Sequence, residues 1–172
     1  MQIAENTLIW PAITRLEHFP PASRLWFYIA ARPLTEAEAE ATKSALERFA
    51  AQWTAHDHAL NAFAELFAQQ AIILCVDETQ ADASGCSIDS STRFLQQLSR
   101  QLNVDLFDRM IFGWLNEAGD VRFSHRDELV TKFRDGIIHP DTLMLNTLSP
   151  TLGELKSTWI RPLHQSWHQR IL

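Results

Sequence analysis

Cys75–Phe94, CVDETQADASGCSIDSSTRF, decides how this chain is read. It passes from an apolar strand, through a small polar loop, into an amphipathic helix. On its upstream side Ala71–Val76 is wholly apolar and pairs with a second short strand near Ala62–Phe67, with Ala68-Gln69-Gln70 as the turn between them. On its downstream side Ser87 is placed to cap the helix. Ile88, Ser91, Leu95, Leu98 and Leu102 recur at steps of three and four, and Asp89 falls in the first turn, where the helix dipole favours an anion.

Working outward, Thr35-Glu36-Ala37-Glu38 forms a capping box that opens a helix to about Trp53. Ala39, Thr42, Leu46, Phe49, Ala50 and Trp53 share one face of it. Arg24–Ala31 before it is a strand apolar on both faces, so both should be covered. Met110–Leu115 is a further strand. Residues 24–115 therefore read strand, helix, strand, strand, helix, strand. This is the order of a split βαβ, ferredoxin-like α+β domain with both helices on one face of the sheet.

Residues 1–23, with Pro11, Pro20 and Pro21, read as an extended arm that Leu8, Ile9, Trp10 and Ile13 pin to the body. Residues 116–172 form a small C-terminal α+β unit packed on the first. Asn116–Gly119 turns a hairpin into a strand, and Ser124 with Asp127 is a second capping box. The short helix turns Leu129, Val130 and Phe133 inward and stops at Gly136; Asp141–Leu145 is a strand, and Ser149 caps a last helix. Trp159, Trp167 and His168 make an aromatic tail.

Six Trp and ten Phe in 172 residues supply core material without staples. A net charge of −6 with no basic stripe speaks against nucleic acid as a partner. The start lacks a basic n-region followed by an apolar run, and the longest apolar run is too short to span a bilayer. Two cysteines make no disulfide framework, so the cytoplasm, where thiols stay reduced, is the expected compartment. No metal or cofactor motif is complete, and no phosphate-cradling glycine loop occurs. The expected partner is a small molecule or another protein.

The polar loop holds the densest set of reactive groups. Cys86 sits at a helix start, whose positive end favours thiolate, the nucleophilic form of the group. The small neighbours Ser84, Gly85 and Ser87 let a ligand approach the backbone N–H groups. Asp77, Glu78 and Asp89 act against this, because nearby carboxylates disfavour a second negative charge. His56 in WTAHDH is a candidate base for Cys86. Asp77 and Glu78, at a strand's carboxyl end, are candidate acid–base or binding groups, although neighbours in a strand point to opposite faces. In an extended segment His56 and His58 point to one side, which with Cys86 opens a weaker metal-site option. Cys75, inside the strand, reads as an inert core thiol.

QWTAH (52–56), VDETQADASGCSID (76–89), DLFDR (105–109) and SWHQR (166–170) resemble a bacterial family common in Bacteroidetes whose members often carry the label "ABC transporter ATPase". The resemblance covers about residues 24–172. It implies that Trp53, His56, Asp77, Glu78, Ser84, Gly85, Cys86, Ser87 and Asp89 belong to the family motif. Many members have Gly in place of Asp57, and His58 falls outside the motif. The ATPase label requires the nucleotide loop that this chain lacks, so no activity transfers with the resemblance. A second resemblance, of FSHRDELVTKFRDGIIHPDTLML (123–145) to GYF-type domains, implies a ββαβ unit that binds proline-rich peptides through aromatics, here Trp114, Phe123 and Trp159. The glycine-tyrosine-phenylalanine signature is missing.

The leading expectation is thus a small protein with a thiol site, catalytic or redox, at Cys86, with His56 and Asp77 beside it and Glu78, Ser84, Gly85, Ser87 and Asp89 as ligand contacts. The alternative is a non-catalytic interaction module that uses the C-terminal aromatics.

Overall fold

Strand β5, Ala71–Asp77, is buried at every one of its seven positions, and the rest of the chain covers its two faces. The computed structural model describes residues 15–56, 58–79 and 85–172. Strand β1 (Arg24–Ile29) and strand β4 (Asn61–Phe67) each pair antiparallel with β5, giving the order β1-β5-β4. β1 and β4 are therefore parallel to one another with β5 inserted between them. Helix α1 (Glu36–Gln52) links β1 to a two-residue-strand hairpin, β2 (Thr54–Ala55) and β3 (His58–Ala59), and helix α2 (Gly85–Leu102) follows β5.

Both helices cover one face of this sheet. Ile72, Leu74 and Val76 pack there with Leu46 of α1 and Leu95 and Leu98 of α2. The opposite face, with Leu25, Phe27, Ile73 and Cys75, packs against a second layer. The alternation of a strand sends successive side chains to these two cores, so a continuous apolar run is what a doubly covered strand requires. The Thr35 capping box forms as expected: Thr35 Oγ1 accepts the Glu38 N–H, and Glu38 Oε2 accepts the Thr35 N–H at 2.8 Å.

The mixed α+β class stands, but the fourth strand of the expected sheet goes elsewhere. Ile111–Leu115 is β6 of a second sheet, ordered β7-β6-β8-β9, with β7 at Val121–His125, β8 at Leu143–Leu145 and β9 at Ile160–Pro162. β6 is buried at all five positions, and its own hairpin partner β7 and β8 flank it on both edges. The place beside β1 is taken by residues 150–151 instead, where Leu25 N–H donates to the Pro150 carbonyl and Leu152 N–H to that of Ser23, both at 2.9 Å. Leu115, Leu145, Leu152 and Trp159 carry the second layer onto the first sheet.

Several local expectations move by one or two residues. Helix α3 (Arg126–Arg134) is capped by His125, whose Nδ1 accepts the Asp127 N–H; Ser124 is a buried strand residue that accepts the Trp114 indole N–H at 3.3 Å. Helix α4 (Leu152–Thr158) is capped by Thr151 rather than Ser149, which bonds Asn146 and Thr158. Phe133 is exposed while Leu129 alone on α3 is fully buried. Residues 16–22 run mostly as turns, closed by Phe19 N–H to Leu16 O and Ser23 N–H to Pro20 O, with Leu16 fully buried; Leu8, Ile9, Trp10 and Ile13 lie outside the described residues.

Gly113 sets the spacing of the second sheet. A Cβ there would meet Leu145 Cδ1 at 2.7 Å and Phe123 Cε1 at 3.0 Å. Gly113→Ala is expected to cost about 1–3 kcal/mol by overpacking, read from urea unfolding. An unchanged midpoint would mean that β6 and β8 do not approach this closely.

Candidate functional site

The carboxyl end of β5 faces the amino end of β4, because the register sets Asn61 opposite Asp77. Asp77 Oδ1 accepts the Thr79 N–H at 2.9 Å and Oδ2 accepts Asn61 Nδ2–H at 3.2 Å. The Thr79 N–H, with smaller help from the Thr79 side chain and Asn61, holds the Asp77 carboxyl below the usual range. Both its oxygens are thus engaged in shaping the chain that leaves the strand. Glu78, on the other face, pairs with Arg24 at 3.3 Å.

Arg24 begins a stack that runs inward. Its guanidinium lies 4.8 Å from the Trp26 ring centroid, and Trp26 lies 6.1 Å from Trp53. The Trp53 indole N–H, buried, donates to the Ser87 carbonyl at 2.9 Å. This bond fastens the first turn of α2 to the segment that leads into the β2–β3 hairpin. Cys86 is the second residue of α2, and its thiol is exposed. His56 sits in the hairpin turn, three residues beyond Trp53, with a left-handed backbone (φ 49°) and an exposed ring. The two residues are carried to the same end of the sheet by elements that touch, but no hydrogen bond joins them among the described residues. Gly85 faces open space: nothing stands within 4 Å of where a Cβ would be.

Three expectations change here. Ser87 is not the helix cap. The helix starts two residues earlier, at Gly85, so Ser87 is buried in its first turn and Asp89 falls beyond that turn, exposed. His56 and His58 do not alternate along one strand, because His56 is in the turn and His58 in β3. Among the described residues no three His, Cys, Asp or Glu side chains are grouped as a metal ion requires. Ser84 lies outside the described residues.

Cys75 is fully buried in the core, as expected. Burial, with the Asp77 charge adding to it, pushes its thiol up to about 12. The aromatic peptide surface is not formed as expected: Trp114 and Trp159 are buried, and Trp159 stacks on Phe27 at 5.8 Å. Two clefts lined by described residues, of about 300 and 290 Å³, lie along α1, and neither includes Cys86, His56 or Asp77.

Arg24, Trp26 and Asn61 were not singled out from the sequence. Asn61 was within reach, since counting outward from the turn at residues 68–70 sets it opposite Asp77. The Arg24–Glu78 pair spans 54 residues and has no local signal. His168, a weak signal in the tail, is fully buried, with Nδ1 2.6 Å from Ser166 Oγ and the ring stacked 3.8 Å from Trp167. Its Nε2 has no hydrogen-bond partner among the described residues, and burial lowers its pKa to about 4.

No helix among the described residues is long and apolar enough to cross a membrane. The chain matches no protein-family model, no curated protein and no solved structure.

Proposed function

We propose that this protein works through a surface thiol at Cys86 in thiol–disulfide exchange, with His56 as the neighbouring base. The observation that supports this is the pairing of an exposed thiol in the first turn of an 18-residue helix with a histidine hairpin bonded to that same turn through Trp53 and Ser87. An exposed thiol admits a macromolecular or peptide disulfide more readily than a buried one would. In the exchange the Cys86 sulfur attacks one sulfur of a partner disulfide. A mixed disulfide forms, and the other partner sulfur leaves as thiolate and takes up a proton. Cys75 is sealed in the core and cannot resolve the mixed disulfide, so a second partner thiol does so. Glu78, Gly85, Ser87 and Asp89 are the proposed contacts for the partner chain, and Asp77 fixes the end of β5 through Thr79 and Asn61. The chemistry suits the cytoplasm, where thiols are kept reduced.

Membership of the Bacteroidetes-type family, on the SGCSID and QWTAH segments, is part of the same proposal. So is a ferredoxin-like ancestry for β1, α1, β4, β5 and α2. A GYF-like role for the ββαβ stretch of residues 111–145 has weaker support, since of Trp114, Phe123 and Trp159 only Phe123 is not buried.

A small aromatic disulfide such as 2,2′-dithiodipyridine tests the reading. One thiopyridone per chain is expected to be released from the folded protein and none from Cys86→Ser, with Cys75 contributing only after unfolding. Release from Cys75 in the folded wild type, or none from Cys86, would overturn it.

A further inference from the structure

A second feature lies away from Cys86, on the outer edge of β4. A cleft of about 300 Å³ runs there, with Arg15, Phe63 and Glu65 on one side, Lys43, Glu47 and Ala50 of α1 on the other. Its volume is at the small end of ligand sites, which run from about 300 to 1,000 Å³. Alanines of β4 and α1 form much of the wall and leave the room open.

The polar groups in it are unequally satisfied. Lys43 is engaged elsewhere, with its Nζ 2.8 Å from Glu40. Glu65 Oε2 is buried and accepts no hydrogen bond among the described residues. Arg15 Nη1 approaches that oxygen to 3.5 Å, outside hydrogen-bond geometry, and the Arg15 side chain is 61% exposed. The same guanidinium lies 5.7 Å from the centroid of the Phe63 ring. A carboxylate on one side and an aromatic face on the other define a position for a cation, since both attract positive charge and the ring does so best when water is displaced. Arg15 occupies it loosely. Burial raises the Glu65 carboxyl above the usual range, while Arg15 and Lys43 oppose that rise. A better-seated cation would favour the ionised form further.

We propose that this cleft binds a small organic cation, a primary ammonium on a flat apolar body, which displaces Arg15 and donates to Glu65 Oε2 while its body rests on Phe63 and the alanines. Arg15 then acts as a built-in competitor, so its removal strengthens binding rather than weakening it. A role for Arg15 as a ligand-binding group has the opposite consequence.

Benzylamine is the probe, titrated at neutral pH into the full chain and followed by chemical-shift changes. Saturable binding with a dissociation constant on the order of 1 mM is expected for a ligand of this size. Glu65→Gln, close to isosteric, should weaken it at least about tenfold, and Arg15→Gln should tighten it several-fold. Benzyl alcohol and benzoate should bind at least about tenfold more weakly than the amine. If Glu65→Gln does not fold, Glu65→Asp, which withdraws the carboxylate by one methylene, is read with the same expected loss. Absence of saturable binding in both wild type and Arg15→Gln overturns the proposal. So does equal binding by the Glu65 variant, equal or tighter binding of benzoate, or weaker binding after Arg15→Gln.

Discussion

Leu74→Ala is expected to lower the unfolding free energy by about 2–5 kcal/mol, the range for large-to-small changes at sealed core sites. Leu74 is fully buried at the centre of β5, and its register partners are Trp26 on β1 and Ala64 on β4. Its side chain enters the cluster under α1 and α2. The cavity left behind is walled by strands on both sides and two helices, and Trp26 and Trp53 beside it are held by Arg24 and Ser87. Little can move in to fill it, so the loss belongs in the upper part of the range. Set against a domain stability of about 5–15 kcal/mol, this is a large fraction. Urea unfolding gives the value; a loss below about 1 kcal/mol would deny that β5 is the shared inner strand of both cores.

Acid should weaken the fold through His168. Its folded pKa is lowered to about 4 by burial, against about 6.5 for a free imidazole. The unfolded chain therefore takes up the proton first. Stability is full above about pH 6.5 and falls as the pH drops toward 4, by on the order of 3 kcal/mol in all at 1.36 kcal/mol per unit. Carboxylates contribute in a lower window: Glu38, held at about 2 by Arg32 and the Thr35 N–H, loses its share only as the pH falls below about 4.5. The difference between wild type and His168→Phe across pH 7 to 4 isolates the imidazole. The wild type should lose stability steeply between pH 6.5 and 4 and the variant should not; parallel curves would place His168 in contact with water.

Periodicity made the first sheet and both long helices legible. The Thr35–Glu38 box is a local chemical pattern, and the run around Ile72, Ile73 and Leu74 has only one reading once two faces need covering. The destination of β6 was not legible. IFGWL is apolar at every position, and such a strand fits the middle of either sheet. What decides is a long-range choice: Gly113 allows close approach to Leu145, and residues 150–151 take the edge of β1. Caps were misplaced by one or two residues: Ser87 lies inside α2, His125 rather than Ser124 caps α3, and Thr151 rather than Ser149 caps α4, because a side chain's capping role depends on where the preceding strand or turn releases the chain. At the site, Cys86 was legible as an exposed helix-start thiol. The bond that fastens the start of α2 to Trp53, three residues before His56, was not, since it runs through an indole and a backbone carbonyl 34 residues apart.

The most direct test is the rate at which iodoacetamide modifies Cys86 at pH 7, with the site assigned by mass spectrometry and free glutathione as the reference thiol. Wild-type Cys86 is expected to react at least about tenfold faster than glutathione, and His56→Gln to lose most of that advantage while the fold is unchanged. A Cys86 that reacts no faster than glutathione, with the same rate in His56→Gln, would contradict a thiol site built from the α2 start and the histidine hairpin.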